Sequence, residues 1–341
     1  MKAKFVDGLN FIMKVGRPSR SWNALLLVFS YLLSRITRSP IHWGQPISLS
    51  FEPTTSCNLR CPECPSGLRS FTRSTGMLDG SLFKNVMEAQ KSTLSYLLFY
   101  FQGEPYLHPE FLQLVKEASK RKIYTATSTN AHYLSEEVAK NTIESGLDRL
   151  IISIDGTSQE TYEAYRVGGK LQKVIDGTRN IIKWKRQLKS STPHIIFQFL
   201  VVKPNEHQID EVYQLADELG VDEVLLKTAQ IYDHKNGSPL IPDSDKYSRY
   251  KKQADGTYSI KSMLLNHCWK MWHSSVITWD GKVVPCCFDK DAHHVLGEVE
   301  GSSFKEIWKS EPYRQFRKSL LKSRSEIEMC KNCTEGTTVW A

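Results

Sequence analysis

Three cysteines in the stretch Thr54–Pro65, reading Thr-Thr-Ser-Cys-Asn-Leu-Arg-Cys-Pro-Glu-Cys-Pro, carry the densest chemical signal in the chain. Cys57, Cys61 and Cys64 follow a C-x3-C-x2-C spacing, short enough for one tightly curved loop to aim three thiolates at one centre. A structural zinc or a ferredoxin-type cluster takes four protein ligands and closes its coordination shell. Three thiolates on a four-iron cluster leave one iron without a protein ligand. An open metal position is where a substrate or cosubstrate binds. The competing reading of this loop is a zinc site with three structural cysteines.

The other five cysteines fall between positions 268 and 333. Cys268, Cys286, Cys330 and Cys333 suffice for a closed four-thiolate site, with Cys330 and Cys333 as a C-x2-C bite. The other two arrive from either side of a hairpin expected over Val276–Pro285, turning through Asp280-Gly281. Full ligation by protein leaves such a cluster no iron for substrate, which suits an electron carrier. Cys287 is left over, because adjacent cysteines rarely bind one centre with good geometry. Zinc is again the competing occupant.

From Ile47 onward, short β-rich runs alternate with helical stretches, the pattern of βαβ units around a parallel sheet. Strands are expected at Ile47–Glu52, Tyr96–Phe101, Tyr124–Thr129, Arg149–Ile154, Ile195–Val202 and Glu223–Lys227. Helices are expected at Gly80–Gln90, Pro109–Lys120, Ser135–Ser145, Gln172–Gln187 and Glu206–Leu219. Six such units make an α/β fold, a partial (β/α)6 barrel of the TIM type, whose active residues sit at the carboxyl ends of strands. The cysteine loop directly follows the first strand. Strand two ends in Gln102-Gly103-Glu104, strand three in Ser128-Thr129-Asn130, and strand four in Ser153-Ile154-Asp155. A period of two turns Ser153 and Asp155 to the same side. Polar residues also end strands for plain turn chemistry. Gln198 sits among apolar neighbours in strand five, either lining the pocket or satisfying a buried backbone group. After Thr228 the alternation stops. Residues 229–262 read as a linker or a lid over the barrel mouth, and a last helix is expected over Phe304–Leu321.

Residues 1–46 are unlike the rest, with Lys2, Lys4, Lys14, Arg17, Arg20, Arg35 and Arg38 around an apolar run from Trp22 to Leu33. That run is too short for a bilayer, which needs ~20 residues, and no small-residue cleavage site follows it. Two readings stand: a helix packed under the main domain, or an interfacial helix with its apolar side in lipid and its arginines at the headgroups.

The 341 residues hold one large α/β domain plus an appendix, and 40% hydrophobic content excludes disorder as the default. A net charge of +8 leaves an anionic partner open, although lysines and arginines are scattered among acids after the N-terminus. Eight cysteines clustered at metal-ligand spacing point to a reducing compartment, hence a cytoplasmic chain.

With these residues in place, the chain resembles the radical S-adenosylmethionine (radical SAM) enzymes that carry a C-terminal SPASM or twitch domain. The resemblance covers about residues 47–335. It implies a [4Fe-4S] cluster on Cys57, Cys61 and Cys64 whose open iron chelates S-adenosyl-L-methionine. One electron then cleaves that cosubstrate to a 5′-deoxyadenosyl radical, which takes hydrogen from a substrate. The family's Gly-Gly-Glu, which contacts the cosubstrate's amino group, falls on Gln102, Gly103 and Glu104, with glutamine replacing the first glycine. Ser153 and Asp155 fall at strand four, where the family hydrogen-bonds ribose and carboxylate, Asn130 is a further candidate cosubstrate contact at the end of strand three, and Arg166 matches an arginine placed against that carboxylate. The aromatic residue often found beside the third cysteine is Glu63 here, so adenine contacts are expected instead from the loop after Lys227. Cys268, Gly281, Pro285-Cys286 and Cys330-Lys-Asn-Cys333 follow the twitch arrangement, which holds one auxiliary [4Fe-4S] cluster.

The resulting division is an N-terminal extension (1–46), a radical SAM core (47–228), a linker or lid (229–262) and a SPASM/twitch domain (263–341). The expected activity is an oxidoreductase dehydrogenating a small carbinol or carbohydrate-like substrate, or a lipid-linked one if the N-terminal helix meets a membrane. The electron donor would be a flavodoxin or ferredoxin. A peptide-modifying maturase is the alternative, although its usual leader-binding domain does not resemble residues 1–46. A zinc-stabilised nucleic-acid-binding protein is a further alternative; the main reading expects no nucleic acid.

Overall fold

The computed structural model describes residues 2–337; Met1 of the expected N-terminal extension and residues 338–341 of the expected C-terminal domain lie outside the described residues. Six strands, β1 (Ser48–Phe51), β2 (Tyr96–Phe99), β3 (Tyr124–Thr129), β4 (Arg149–Ser153), β5 (His194–Val201) and β6 (Glu223–Thr228), pair in sequence order, each parallel to the next. Helices return the chain between them, as parallel pairing requires. A parallel sheet covered by helices buries both faces, which is why β5 reads His-Ile-Ile-Phe-Gln-Phe-Leu-Val rather than as an alternation. The α/β architecture is the expected partial barrel, and its strand positions match the sequence reading to within two residues. The helix at Gln159–Tyr165 was not anticipated, being too short to show a period of its own.

β7 (Tyr250–Lys252) and β8 (Tyr258–Ile260) form a separate antiparallel hairpin within the stretch expected to be linker or lid. β9 (Ser274–Ile277) and β10 (Lys282–Val284) form the expected hairpin, turning at Gly281 with φ 82°, and β11 (Gly297–Glu298) adds a short edge. This hairpin is not detached: β9 pairs parallel with β1, so one nine-stranded sheet runs from β11 through β10 and β9 to β1 and on to β6. The helix expected over Phe304–Leu321 is two helices, Phe304–Lys309 and Glu311–Lys322. They break at Ser310, where Pro312 in the first turn of the second cannot continue the first.

The N-terminal residues fold as α1 (Lys2–Val15) and α2 (Pro18–Thr37), split at Gly16-Arg17 before Pro18. Both lie under the barrel. Asp7 of α1 bonds the side chains of Tyr124 and Arg149 at the first residues of β3 and β4. In α2, buried Arg20 donates to the carbonyls of Lys91, Arg121 and Lys122, which precede β2 and β3. Farther along α2, Tyr31 packs on Trp269 and Trp272.

Candidate active site

The cysteine loop leaves β1 at Glu52, a buried carboxylate gripped on both oxygens by Arg73 and fixing where the loop begins. The loop is then threaded against the end of β2. Glu104 N donates to the Ser56 carbonyl at 2.8 Å, and Gly103 N to Ser66 Oγ at 2.9 Å. Gly103 has φ 75°, and a Cβ there would stand 2.1 Å from the Thr54 carbonyl oxygen. The glycine thus serves the approach of one loop backbone to another. Gly67 does the same after Pro65, where a Cβ would come within 2.6 Å of the Cys61 backbone.

Cys57, Cys61 and Cys64 line one cavity of about 210 Å³ at the carboxyl ends of the strands. Gln102, Gly103, Glu104, Asn130, Ser153 and Arg166 line it with them. Gln102 Oε1 lies 3.8 Å from Cys64 Sγ. Asn130 Nδ2 donates to Asn58 Oδ1 at 2.8 Å, with Cys57 Sγ at 3.9 Å. Glu104 accepts from Thr129 Oγ1 and Asn130 N, each at 2.8 Å, so it ties the end of β2 to the end of β3. Burial pushes its carboxyl up to about 7 against those donors.

Asp155 is not among the cavity's lining residues. It lies just past β4, fully buried, where it accepts from Leu200 N at 2.7 Å and pairs with Arg166 Nε. It reaches the cavity only through Arg166, whose Nη1 is 3.8 Å from Cys61 Sγ. Burial disfavours the Arg166 charge, but Asp155 and Cys61 outweigh it and hold the guanidinium protonated. Gln198, beside Ser153 in the β4–β5 register, also lies outside the lining. Glu63 accepts from Tyr232 N at 2.9 Å, so the residue in the aromatic's place anchors the loop after β6. Ile231, Leu240, Ile241 and Tyr250 from the 229–262 stretch pack with Leu59 and Cys61, covering the cysteine loop from above.

Cys268, Cys286, Cys330 and Cys333 line a second, enclosed pocket, and Cys287 is outside it. The sequence reading missed Arg324, an arginine in an unremarkable polar run. It is buried against this pocket, with Nη2 3.2 Å from Cys333 Sγ and also donating to the Glu335 carbonyl. It missed Gly336 too, where a Cβ would come within 2.4 Å of Cys268 Sγ. Tyr100 and Lys290, which lie at the first cavity, likewise gave no sequence signal. Ser66-Gly67 did offer one: a glycine two residues past a metal-type cysteine loop marks backbone crowding.

Both donor sets fit iron-sulfur clusters. Burial pushes the Cys57 thiol up to about 12 and raises Cys61, so their thiolates need a cationic partner of the kind iron supplies. Among the described residues, no three His, Cys, Asp or Glu side chains are grouped to hold a single ion. Three thiols around a cavity and four around an enclosed pocket match the two ligand counts a substrate-binding and a fully ligated cluster require.

A family model described as the radical SAM superfamily matches residues 51–216, and an iron-sulfur cluster-binding domain model, SPASM, matches residues 268–334. The chain belongs to the radical SAM superfamily and carries a SPASM domain, which together imply a [4Fe-4S] cluster, S-adenosylmethionine and an auxiliary cluster. The zinc-stabilised nucleic-acid-binding reading gives way to these matches. The tungsten-containing aldehyde ferredoxin oxidoreductase cofactor-modifying protein of Pyrococcus furiosus is 27% identical over 329 residues, spanning 84% of this chain and 86% of its own. The PqqA peptide cyclase of Gluconobacter oxydans is 26% identical over 315 residues, spanning 86% and 84%. Among solved structures, BtrN in complex with AdoMet and 2-DOIA superposes with a TM-score of 0.54 at 20% identity, covering 86% of this chain and 95% of that one. Streptococcus suis SuiB bound to S-adenosylmethionine gives 0.61 at 14% identity, covering 86% and 73%. At these identities the structures show a shared fold.

Proposed function

We propose that this radical SAM enzyme is an oxidoreductase that dehydrogenates a small molecule, a carbinol or carbohydrate-like compound. The observation that carries the reading is the second pocket, where four cysteines can close a cluster's shell and leave it only an electron to accept. When bound, the clusters and S-adenosylmethionine supply one-electron chemistry and a radical able to abstract hydrogen.

Cys57, Cys61 and Cys64 would hold the first cluster, and Cys268, Cys286, Cys330 and Cys333 the second. Gln102, Gly103, Glu104, Asn130 and Ser153 would orient the cosubstrate, with Arg166 on its carboxylate and Asp155 positioning Arg166. The bidentate shape of a guanidinium suits a carboxylate. Glu104, once ionised, can accept from an ammonium. The stretch 229–262 acts as a lid that keeps water from the cavity, and the boundaries at 46, 228 and 262 mark functional units, two of which, the core and the SPASM/twitch domain, share one sheet. A flavodoxin or ferredoxin is the electron donor.

A peptide substrate is the second reading, favoured by the likeness to the PqqA peptide cyclase. The test is incubation of cluster-loaded enzyme, S-adenosylmethionine and reductant with candidate alcohols, sugars and peptides. A small-molecule product lighter by two hydrogens, formed with deoxyadenosine, supports the proposal. A cross-linked or cyclised peptide with no small-molecule turnover contradicts it.

A further inference from the structure

The underside of the barrel presents an apolar surface that no other described element covers. On α1, Asp7, Phe11 and Lys14 face the barrel, whereas Phe5, Leu9, Ile12 and Met13 are exposed, Phe5 by 68% and Met13 by 74%. On α2, Leu27, Tyr31 and Ser34 are buried, and the exposed side carries Trp22, Leu25, Phe29, Leu32 and Ile36, the last by 79%. Their spacing of three and four residues sets them on one face along a helix about 30 Å long. Soluble surfaces rarely leave large apolar side chains contiguous in this way.

The charge these two helices carry is nearly all of one sign, although Glu223 and Asp148 answer Lys4 and Lys14. Residues 1–46 carry seven lysines and arginines against one acid, six of the chain's eight net positive charges. That acid, Asp7, is buried on Arg149 and Tyr124. Arg17, between the helices, and Arg35 and Arg38, at the far end of α2, are exposed. A second copy seated symmetrically on this face would bring arginines together with no exposed acid on either helix to answer them, which disfavours association. An anionic bilayer answers them all, and Trp22 has the amphipathic ring that settles at headgroup depth. Among the described residues no helix is long and apolar enough to cross a membrane.

We infer that α1 and α2 form a monotopic docking surface for a bilayer rich in anionic lipid, with the two apolar faces in the acyl boundary and Arg17, Arg35 and Arg38 at the phosphates. The helices sit at the amino ends of the strands and the cysteine cavity at the carboxyl ends. A docked enzyme therefore turns its mouth to the aqueous side, where a soluble substrate and a protein reductant reach it. This placement disfavours the lipid-linked substrate that membrane contact first suggested. The inference does not rest on the reaction proposed above.

The test is co-sedimentation of the cluster-loaded full chain with phosphatidylcholine vesicles, with and without phosphatidylglycerol. The expected result is binding to the phosphatidylglycerol vesicles that weakens as salt rises. Phe29→Asp combined with Ile36→Asp should lower binding by at least about tenfold, by the apolar burial each loses. Arg35→Gln and Arg38→Gln should each lower it about fivefold, on the anionic vesicles only. All these variants should keep wild-type iron content and deoxyadenosine formation. Absence of binding to anionic vesicles overturns the inference. So does binding unchanged in the Phe29→Asp/Ile36→Asp variant, or a lipid-free dimer that this variant disperses.

Discussion

Arg166 joins the buried carboxylate of Asp155 to the rim of the first cysteine cavity, its Nη1 3.8 Å from Cys61 Sγ and its Nε on Asp155. Asp155 is spent on holding that arginine and on the Leu200 amide. Asp155→Asn keeps the shape and removes the charge. Breaking one side of a buried pair costs about 3–5 kcal/mol. Denaturant unfolding should show a loss of that order, and equilibrium dialysis a weaker hold on S-adenosylmethionine. Arg166→Lys should keep much of the stability but lose affinity, because an ammonium lacks the fork. Equal effects of both changes on stability and affinity would mean the arginine only braces the fold.

Glu104 gives a pH dependence of known sign. Its folded value of about 7 lies above the ordinary 4.5, so burial favours the protonated form. Its contribution to stability is complete below 4.5 and is lost as pH rises to about 7, by at most ~3 kcal/mol. Melting of cosubstrate-free enzyme should show that fall, and Glu104→Gln should flatten it. Affinity for the cosubstrate's ammonium should move the opposite way, rising as Glu104 ionises.

Gly103→Ala places a methyl 2.1 Å from the Thr54 carbonyl at a positive φ. It should destabilise by at least ~2 kcal/mol and weaken cluster retention, since the loop that must move carries Cys57. Iron content after gel filtration checks this; wild-type retention would show that the two loops separate freely.

The barrel was legible because its strands are short apolar runs between amphipathic helices, and both cysteine sets because metal spacing survives in sequence. What stayed hidden depends on contacts across long separations. Nothing in the local sequence says that Asp155 turns to Arg166, that Arg324 closes on Cys333, or that β9 pairs with β1 rather than founding a separate module. Gln198 and the helix at Gln159–Tyr165 show the limits of periodicity for single residues and short elements. Pro312, in contrast, was visible, and it marks the break in the helix drawn over Phe304–Leu321.

The neighbours Cys286 and Cys287 share a side-chain hydrogen bond, yet only Cys286 lines the second pocket. Cys287→Ser should keep about eight irons per chain, the content of two four-iron clusters. Cys286→Ser should lower it toward about four. The reverse order would exchange their roles.

Cleavage of S-adenosylmethionine at the cavity of Cys57, Cys61 and Cys64 is the step on which every role proposed for the other site residues depends. The direct measurement is 5′-deoxyadenosine released by anaerobically reconstituted enzyme with dithionite, compared with Cys57→Ala, Cys61→Ala and Cys64→Ala. Formation by the wild type and its loss in all three variants, with the auxiliary iron retained, is the predicted result. Deoxyadenosine from any of the variants at the wild-type rate would contradict it.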